Sequence, residues 1–200
     1  MFKSIKVGVY NWECFPAQNG FYPEDLPVDW KLSFYANEFE TACITVDDHL
    51  DISLFEEWLD DLPEDFQLSL NVISVDLMEQ VAVLLAQENQ KINYLLASSQ
   101  ERGHLLQQQS IETILSSAND KSSTPGQVIT LSSIWTPDND VESVGIALLP
   151  DIDDKRLYRR WIELWMGNSS QQNLTLWLDA KTARYSSLSE LRTLVELMGC

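Results

Sequence analysis

Strand-like and helix-like segments alternate along this 200-residue chain almost from end to end, and that alternation restricts the fold more than any other feature. Apolar residues recurring at every second position mark strands, and a 3.6-residue period marks helices. Strands are expected over Ile5–Tyr10, Thr41–Val46, Gln67–Ile73, Asn93–Ala97, Val128–Ser133, Ser143–Leu149 and Leu174–Leu178. Helices are expected over Trp30–Asn37, Asp51–Asp60, Asp76–Gln90, Leu105–Ser117, Lys155–Met166 and Ser187–Met198, with a polar turn over 119–126. Regular βα alternation implies a parallel sheet covered by helices, because a parallel strand is reached only through a crossover. Right-handed crossovers leave two answers, an open doubly wound sheet or a barrel. No G-x-G-x-x-G follows a strand and no Walker lysine loop is present, so the motifs that favour a nucleotide-binding sheet are missing.

The length suits one domain, here taken as residues 1–200, and no long linker divides it. Net charge is −18, and it is uneven: residues 1–100 hold 4 Lys/Arg against 18 Asp/Glu, a net of −14. So acidic a surface repels phosphate backbones and anionic bilayers, which argues against nucleic acid or a membrane as partner. No apolar run approaches the ~20 residues that span a bilayer, and the first residues lack the apolar core of a signal peptide. The expected location is the cytoplasm. Cys14, Cys43 and Cys200 form no C-x-x-C pair, and His49 and His104 are the two histidines. Free thiols, no structural metal and no cofactor are therefore expected.

One stretch carries a family resemblance. Val7-Gly8-Val9, Trp12, Gly20-Phe21-Tyr22-Pro23-Glu24-Asp25-Leu26-Pro27, Trp30, Tyr35-Ala36, Phe39 and Thr41 occur in this order. The pattern resembles the YecE-like family (domain of unknown function 72), with its Gly-containing first strand, its F-Y-P-x-x-L-P segment and its helix ending Y-A-x-x-F. Later, Trp135-Thr136-Pro137, Leu157-Tyr158, Trp161 and Leu174–Asp179 are similar to the family's last strands and helices. The resemblance implies a TIM-like (β/α) barrel. Seven expected strands, with length missing between residues 73 and 128, imply a barrel shortened by about one βα unit.

The departures from the family pattern bear on function. The family's T-V-E-I-N strand places its Glu at Cys43 and its Asn at Thr45. Its late Arg and His fall at Ala147 and Leu149, and its Arg-His pair falls where Asn93–Ala97 runs into Ser98-Ser99-Gln100. In a TIM barrel the C-terminal strand ends carry the chemistry, and here those positions lack ionisable groups for acid–base work.

The candidate ligand-binding residues lie at such strand ends: Tyr10, Asn11, Trp12 and Cys14 after the first strand, Cys43, Thr45 and Asp47 on and after the second, and Asp179 after the last. Tyr10, Asn11 and Trp12 could stack on and orient a small polar molecule; equally, Trp12, Phe21 and Tyr22 could plug the barrel mouth. Cys14 and Cys43 end neighbouring strands, but Glu13 and Asp47 disfavour their thiolates. Asp47-Asp48-His49 offers metal-binding groups without a second histidine at ligand spacing. Lys155, Arg156, Arg159 and Arg160 either bind an anion or pair with the chain's own acids. Asp179, Lys181 and Arg184 form either a polar site or a solvated helix start. Trp161 and Trp165 share a helix face that packs inward or joins a second copy.

Two functional readings stand. One is a diverged, non-catalytic barrel that binds a small ligand or a protein partner. The other is an enzyme with a relocated acid–base site at the strand C-termini, built on Tyr10, Asn11, Asp47 and Asp179. A barrel that lacks a strand also admits a homo-oligomer, since open edges recruit strands.

Overall fold

The computed structural model describes residues 3–15, 20–47, 52–73, 92–97, 127–130, 133–139 and 145–200. The seven strands in them are β1 (Ser4–Tyr10), β2 (Thr41–Val46), β3 (Gln67–Val72), β4 (Ile92–Ala97), β5 (Gln127–Thr130), β6 (Ile146–Leu149) and β7 (Asn173–Asp179). Four helices accompany them: α1 (Lys31–Ala36), α2 (Ile52–Asp61), α3 (Lys155–Asn168) and α4 (Tyr185–Leu197). Every strand lies where the alternation placed it. β6 starts three residues later than expected and α4 two residues earlier. The helices expected over 76–90 and 105–117, the turn over 119–126, and Asp48, His49 and His104 lie outside the described residues.

The chain forms two compact units that share β2. The first comprises Met1–Glu24, Phe39–Ala42 and Ser132–Cys200; the second comprises Asp25–Glu38 and Cys43–Leu131. In the first, the strand order runs from the start of β2 through β1 and β7 to β6. β7 pairs in parallel with both β1 and β6, with Tyr10 level with Asp179 and Ala147 level with Leu176. One face of these strands is apolar: Ile5, Val7, Val9, Leu174, Leu176, Leu178, Ala147 and Leu149 are all buried. α4 packs on β1, and α3 on α4. Between them they bury Tyr158, Ile162, Trp165, Leu188, Leu191 and Val195, spaced as one stripe on each helix. Among the described residues, the far edge of β6 is met by Trp135, whose N–H and C=O bond Ile146 and Leu148 at 3.0 and 2.9 Å.

The helix ends are held by specific groups. Asp154 caps α3, its carboxylate accepting from the N–H of Arg156 at 2.9 Å. At the other end of α3 the Lys3 ammonium donates to the carbonyls of Met166 and Ser169, which have no partner within the helix. α4 has no cap of its own. Asp151, beyond the end of β6, supplies one: its carboxylate accepts the Arg184 N–H and the Arg184 guanidinium, each at 3.0 Å. A carboxylate at a helix N-terminus also meets the positive end of the helix dipole.

Burial alone would push the Asp151 carboxyl up. The hydrogen bonds from Arg184 and Ser187, and the Arg184 charge, outweigh it and hold the group below its ordinary value. The unfolded chain therefore binds the proton more readily than the folded one. Asp151 contributes its full stability above the unfolded carboxyl range of about pH 4, and that contribution disappears as pH falls through the folded value. Asp151→Asn is expected to lower the melting temperature at pH 7 and to approach the wild type only as pH falls below about 4 and through the lowered folded value; a scan of melting temperature against pH checks this. A gap between the two proteins that persists in acid would refute it.

In the second unit the order is β2, β3, β4, β5, with β4 pairing in parallel with β3 and β5. Leu68, Leu70, Val72, Ile92 and Leu95 are buried. The amphipathic helix α2 buries Phe55, Trp58 and Leu59, and α1 buries Leu32 and Tyr35. The rings of Tyr35 and Phe66 meet edge to face at 6.3 Å.

Candidate functional site

The C-terminal ends of β1 and β7 lie side by side, and the Ala180 N–H bonds the Tyr10 carbonyl at 2.8 Å. Chain direction changes at Asn11, which sits in the left-handed region at φ 59° and ψ 53°. Asparagine tolerates that conformation better than other non-glycine residues. Its buried amide donates to Asp179 Oδ1 at 3.4 Å. The same oxygen accepts the Lys181 N–H at 3.1 Å, while the Asp179 carbonyl accepts the N–H groups of Thr182 and Ala183. Asp179 thus ties the end of β7 both to β1 and to the turn that leads into α4.

Tyr10 is half-buried, its ring 6.1 Å from that of Trp177, which lies fully inside. The Trp177 indole N–H has no hydrogen-bond partner. Trp12 is buried, and its indole N–H donates to the Tyr22 hydroxyl at 3.1 Å. Phe15 and Phe21 pack edge to face at 5.5 Å, and Phe21 meets Tyr185 at 5.0 Å and Phe39 at 6.0 Å. Trp12, Phe15 and Phe21 of the loop after β1 are therefore buried in the first unit.

Cys14 is exposed and free. Partial burial and the Glu13 carboxylate push its thiol up, and Asp179 adds to them against the opposing Lys181 charge. A thiol kept protonated is a poor nucleophile and a poor ligand for soft metals. Cys43 and Thr45 lie on β2 and Asp47 just beyond it, in the second unit. Cys43 is fully buried, and Thr45 is half-buried. Among the described residues no three His, Cys, Asp or Glu side chains gather to hold a metal ion. The basic cluster is partly paired with the chain's own acids: Lys155 reaches Glu190 at 3.0 Å and Arg159 reaches Glu163 at 2.9 Å. Arg184 turns away from Asp179 to Asp151 and Asp153. Trp165 is fully buried, and Trp161 is half-buried with its ring 6.2 Å from Tyr158.

Ser69 and Asn71 on β3 stand out in the structure but not in the sequence reading. Both are buried, and neither Ser69 Oγ nor Asn71 Oδ1 has a hydrogen-bond partner. The only trace of them in the sequence is polar residues at 67, 69 and 71 alternating with Leu68, Leu70 and Val72. That alternation was sufficient to define a strand, and nothing in it indicated that the polar side would be buried.

Neither a protein-family model nor a curated protein matches the sequence. Among solved structures, the chain is similar to a DUF72 family protein from Thermotoga maritima. The TM-score is 0.60 at 12% identity, over 96% of this chain and 99% of that one. The fold of this chain is accordingly that of a DUF72 family protein, as the pattern from Val7 to Thr41 implied.

Proposed function

We propose that this chain is a single, cytoplasmic, TIM-barrel-like domain, reduced to about seven strands, that binds a small ligand at its strand C-termini without acid–base catalysis. The observation that carries this reading is the engagement of the carboxylates that follow β6 and β7. Asp151 is held by Arg184, and Asp179 by Asn11 and the Lys181 N–H. A general base needs a lone pair directed at substrate, and these groups serve the fold. The groups proposed to bind there are the half-buried Tyr10, Asn11 and the unpaired indole N–H of Trp177. With Trp12, Cys14 and Asp179 they make up the proposed ligand-binding set of the first unit; Cys43, Thr45 and Asp47 are proposed by themselves for the second. The net charge of −18 supports an uncharged or cationic ligand over nucleic acid or an anionic membrane.

The reading is tested by ligand-observed NMR of the whole chain against a fragment library. Hits are expected to weaken at least about tenfold in Tyr10→Ala and Asn11→Ala, the loss of roughly one good contact. Hits indifferent to both substitutions, or no hits, would overturn it. Turnover that disappears in Asp179→Asn while folding persists would favour the relocated enzyme instead.

A further inference from the structure

We infer that the polar face of β3, Ser69 and Asn71 with Thr45 and Tyr94 beside them, is a binding site for a neutral polyhydroxylated molecule such as a monosaccharide or cyclitol. The inference goes beyond the binding reading above and uses residues of the second unit alone.

Residues two apart on a strand share a face, so Gln67, Ser69 and Asn71 lie together, roughly 6.6 Å separating Ser69 from Asn71. In register, Tyr94 of β4 stands level with Ser69, and Leu96 with Asn71. On the other side, the Ile73 N–H donates to the Val46 carbonyl at 3.1 Å. In a parallel ladder that bond sets Val46 level with Val72, so Thr45 stands level with Asn71 and Cys43 with Ser69. The opposite face of β3 is Leu68, Leu70 and Val72, all buried. One side of the strand is therefore wholly apolar, and the other carries amide and hydroxyl groups with no charge on Cys43, Thr45, Gln67, Ser69, Asn71 or Tyr94.

Gln67 has a partner, the Asn93 amide at 3.0 Å. Ser69 Oγ and Asn71 Oδ1 have none, although Ser69 is fully buried and Asn71 is 5% exposed. Buried polar groups are nearly always satisfied, and each exception calls for an explanation. An apolar residue at either position would spare the fold that cost, so two exceptions two residues apart point to a bound molecule that satisfies both. Asn71 Oδ1 only accepts, which requires a donor on the ligand; Ser69 Oγ donates or accepts. Hydroxyl groups meet both demands. A charged ligand would face no countercharge on these side chains, which favours a neutral one. Thr45 and Tyr94, on the same face, are half-buried.

The test uses the full chain, with D-glucose and myo-inositol as probes, read by calorimetric titration and by melting temperature. The wild type is expected to show saturable binding and a saturable rise in melting temperature. Asn71→Leu and Ser69→Ala are expected to melt at or above the wild-type temperature without probe, because each removes a buried group that has no partner. Each is expected to bind the probes at least about tenfold more weakly, the loss of one hydrogen bond. Unchanged affinity in both variants, or a fall in melting temperature in both, would overturn the inference. So would the absence of probe binding to the wild type. If fragments then still depend on Tyr10 and Asn11, the binding reading survives without this site. Polyol binding that disappears in Asn71→Leu and persists in Asn11→Ala upholds it.

Discussion

Replacing Gly8 with alanine is expected to leave no cooperatively folded protein. A Cβ built on Gly8 would fall on the carbonyl oxygen of Thr41, 2.7 Å from its carbonyl carbon and 2.9 Å from its Cγ2. The obstacle is mainly backbone of the adjoining strand β2, so no rotamer change relieves it. β1 would have to move away from β2, and its pairing with β7 from Ser4 to Tyr10 would move with it. A glycine inside a strand often marks such a close approach. The cost is expected to exceed ~4 kcal/mol, a large share of the ~5–15 kcal/mol that holds a domain together. Thermal unfolding followed by far-ultraviolet circular dichroism checks it, and a cooperative transition within a few degrees of wild type would refute it. Gly167→Ala is the control. That glycine is exposed in α3 with nothing within 4 Å of its Cβ position, so the change is expected to add up to ~1 kcal/mol by helix propensity.

Trp165→Ala is expected to cost ~3–5 kcal/mol, the range for emptying a large buried aromatic site. At this chain length that corresponds to a fall of roughly 10 °C in melting temperature. Trp165 is fully buried on the stripe of α3 that also contains Tyr158 and Ile162. Trp161, one turn earlier and half-buried, is expected to cost only about 1 kcal/mol when truncated, mostly its edge contact with Tyr158. Leu164, 51% exposed, is expected to change stability by less than ~0.5 kcal/mol. Equal losses at Trp161 and Trp165 would refute the assignment of Trp165 as the anchor of this helix.

These two residues show different degrees of legibility. The Trp161–Trp165 spacing is visible in the sequence and puts both on neighbouring parts of one helix face, but it does not say which of them is covered. Only the packing of α3 on α4 settles that, because the buried stripe is narrower than the apolar one. Gly8 was legible as part of a family pattern, while the physical demand for it appears only when Thr41 is placed against it. The acidic run after β6 divides in the same way. Asp154 caps α3, the helix it immediately precedes. Asp151 caps α4 instead, 33 residues further along, a partnership that no local pattern encodes.

The candidate site was legible at its strand ends and not within its strands. Tyr10, Asn11 and Asp179 are found by asking where each strand stops, and the register between β1 and β7 brings them together. Ser69 and Asn71 sit mid-strand in an ordinary alternation, which reads as a solvated face until burial is known.

By itself the sequence determined the order of elements, the parallel mixed α/β class and the positions of all seven described strands. The physical reason is that periods of 2 and 3.6 residues are local consequences of backbone geometry. The tertiary structure alone decided which polar groups go unpaired, which acid caps which helix, and which groups the carboxylates after β6 and β7 meet. Each of these depends on what a side chain meets across strands and helices distant in sequence, where a shift of a few ångströms turns a hydrogen-bond partner into an empty space.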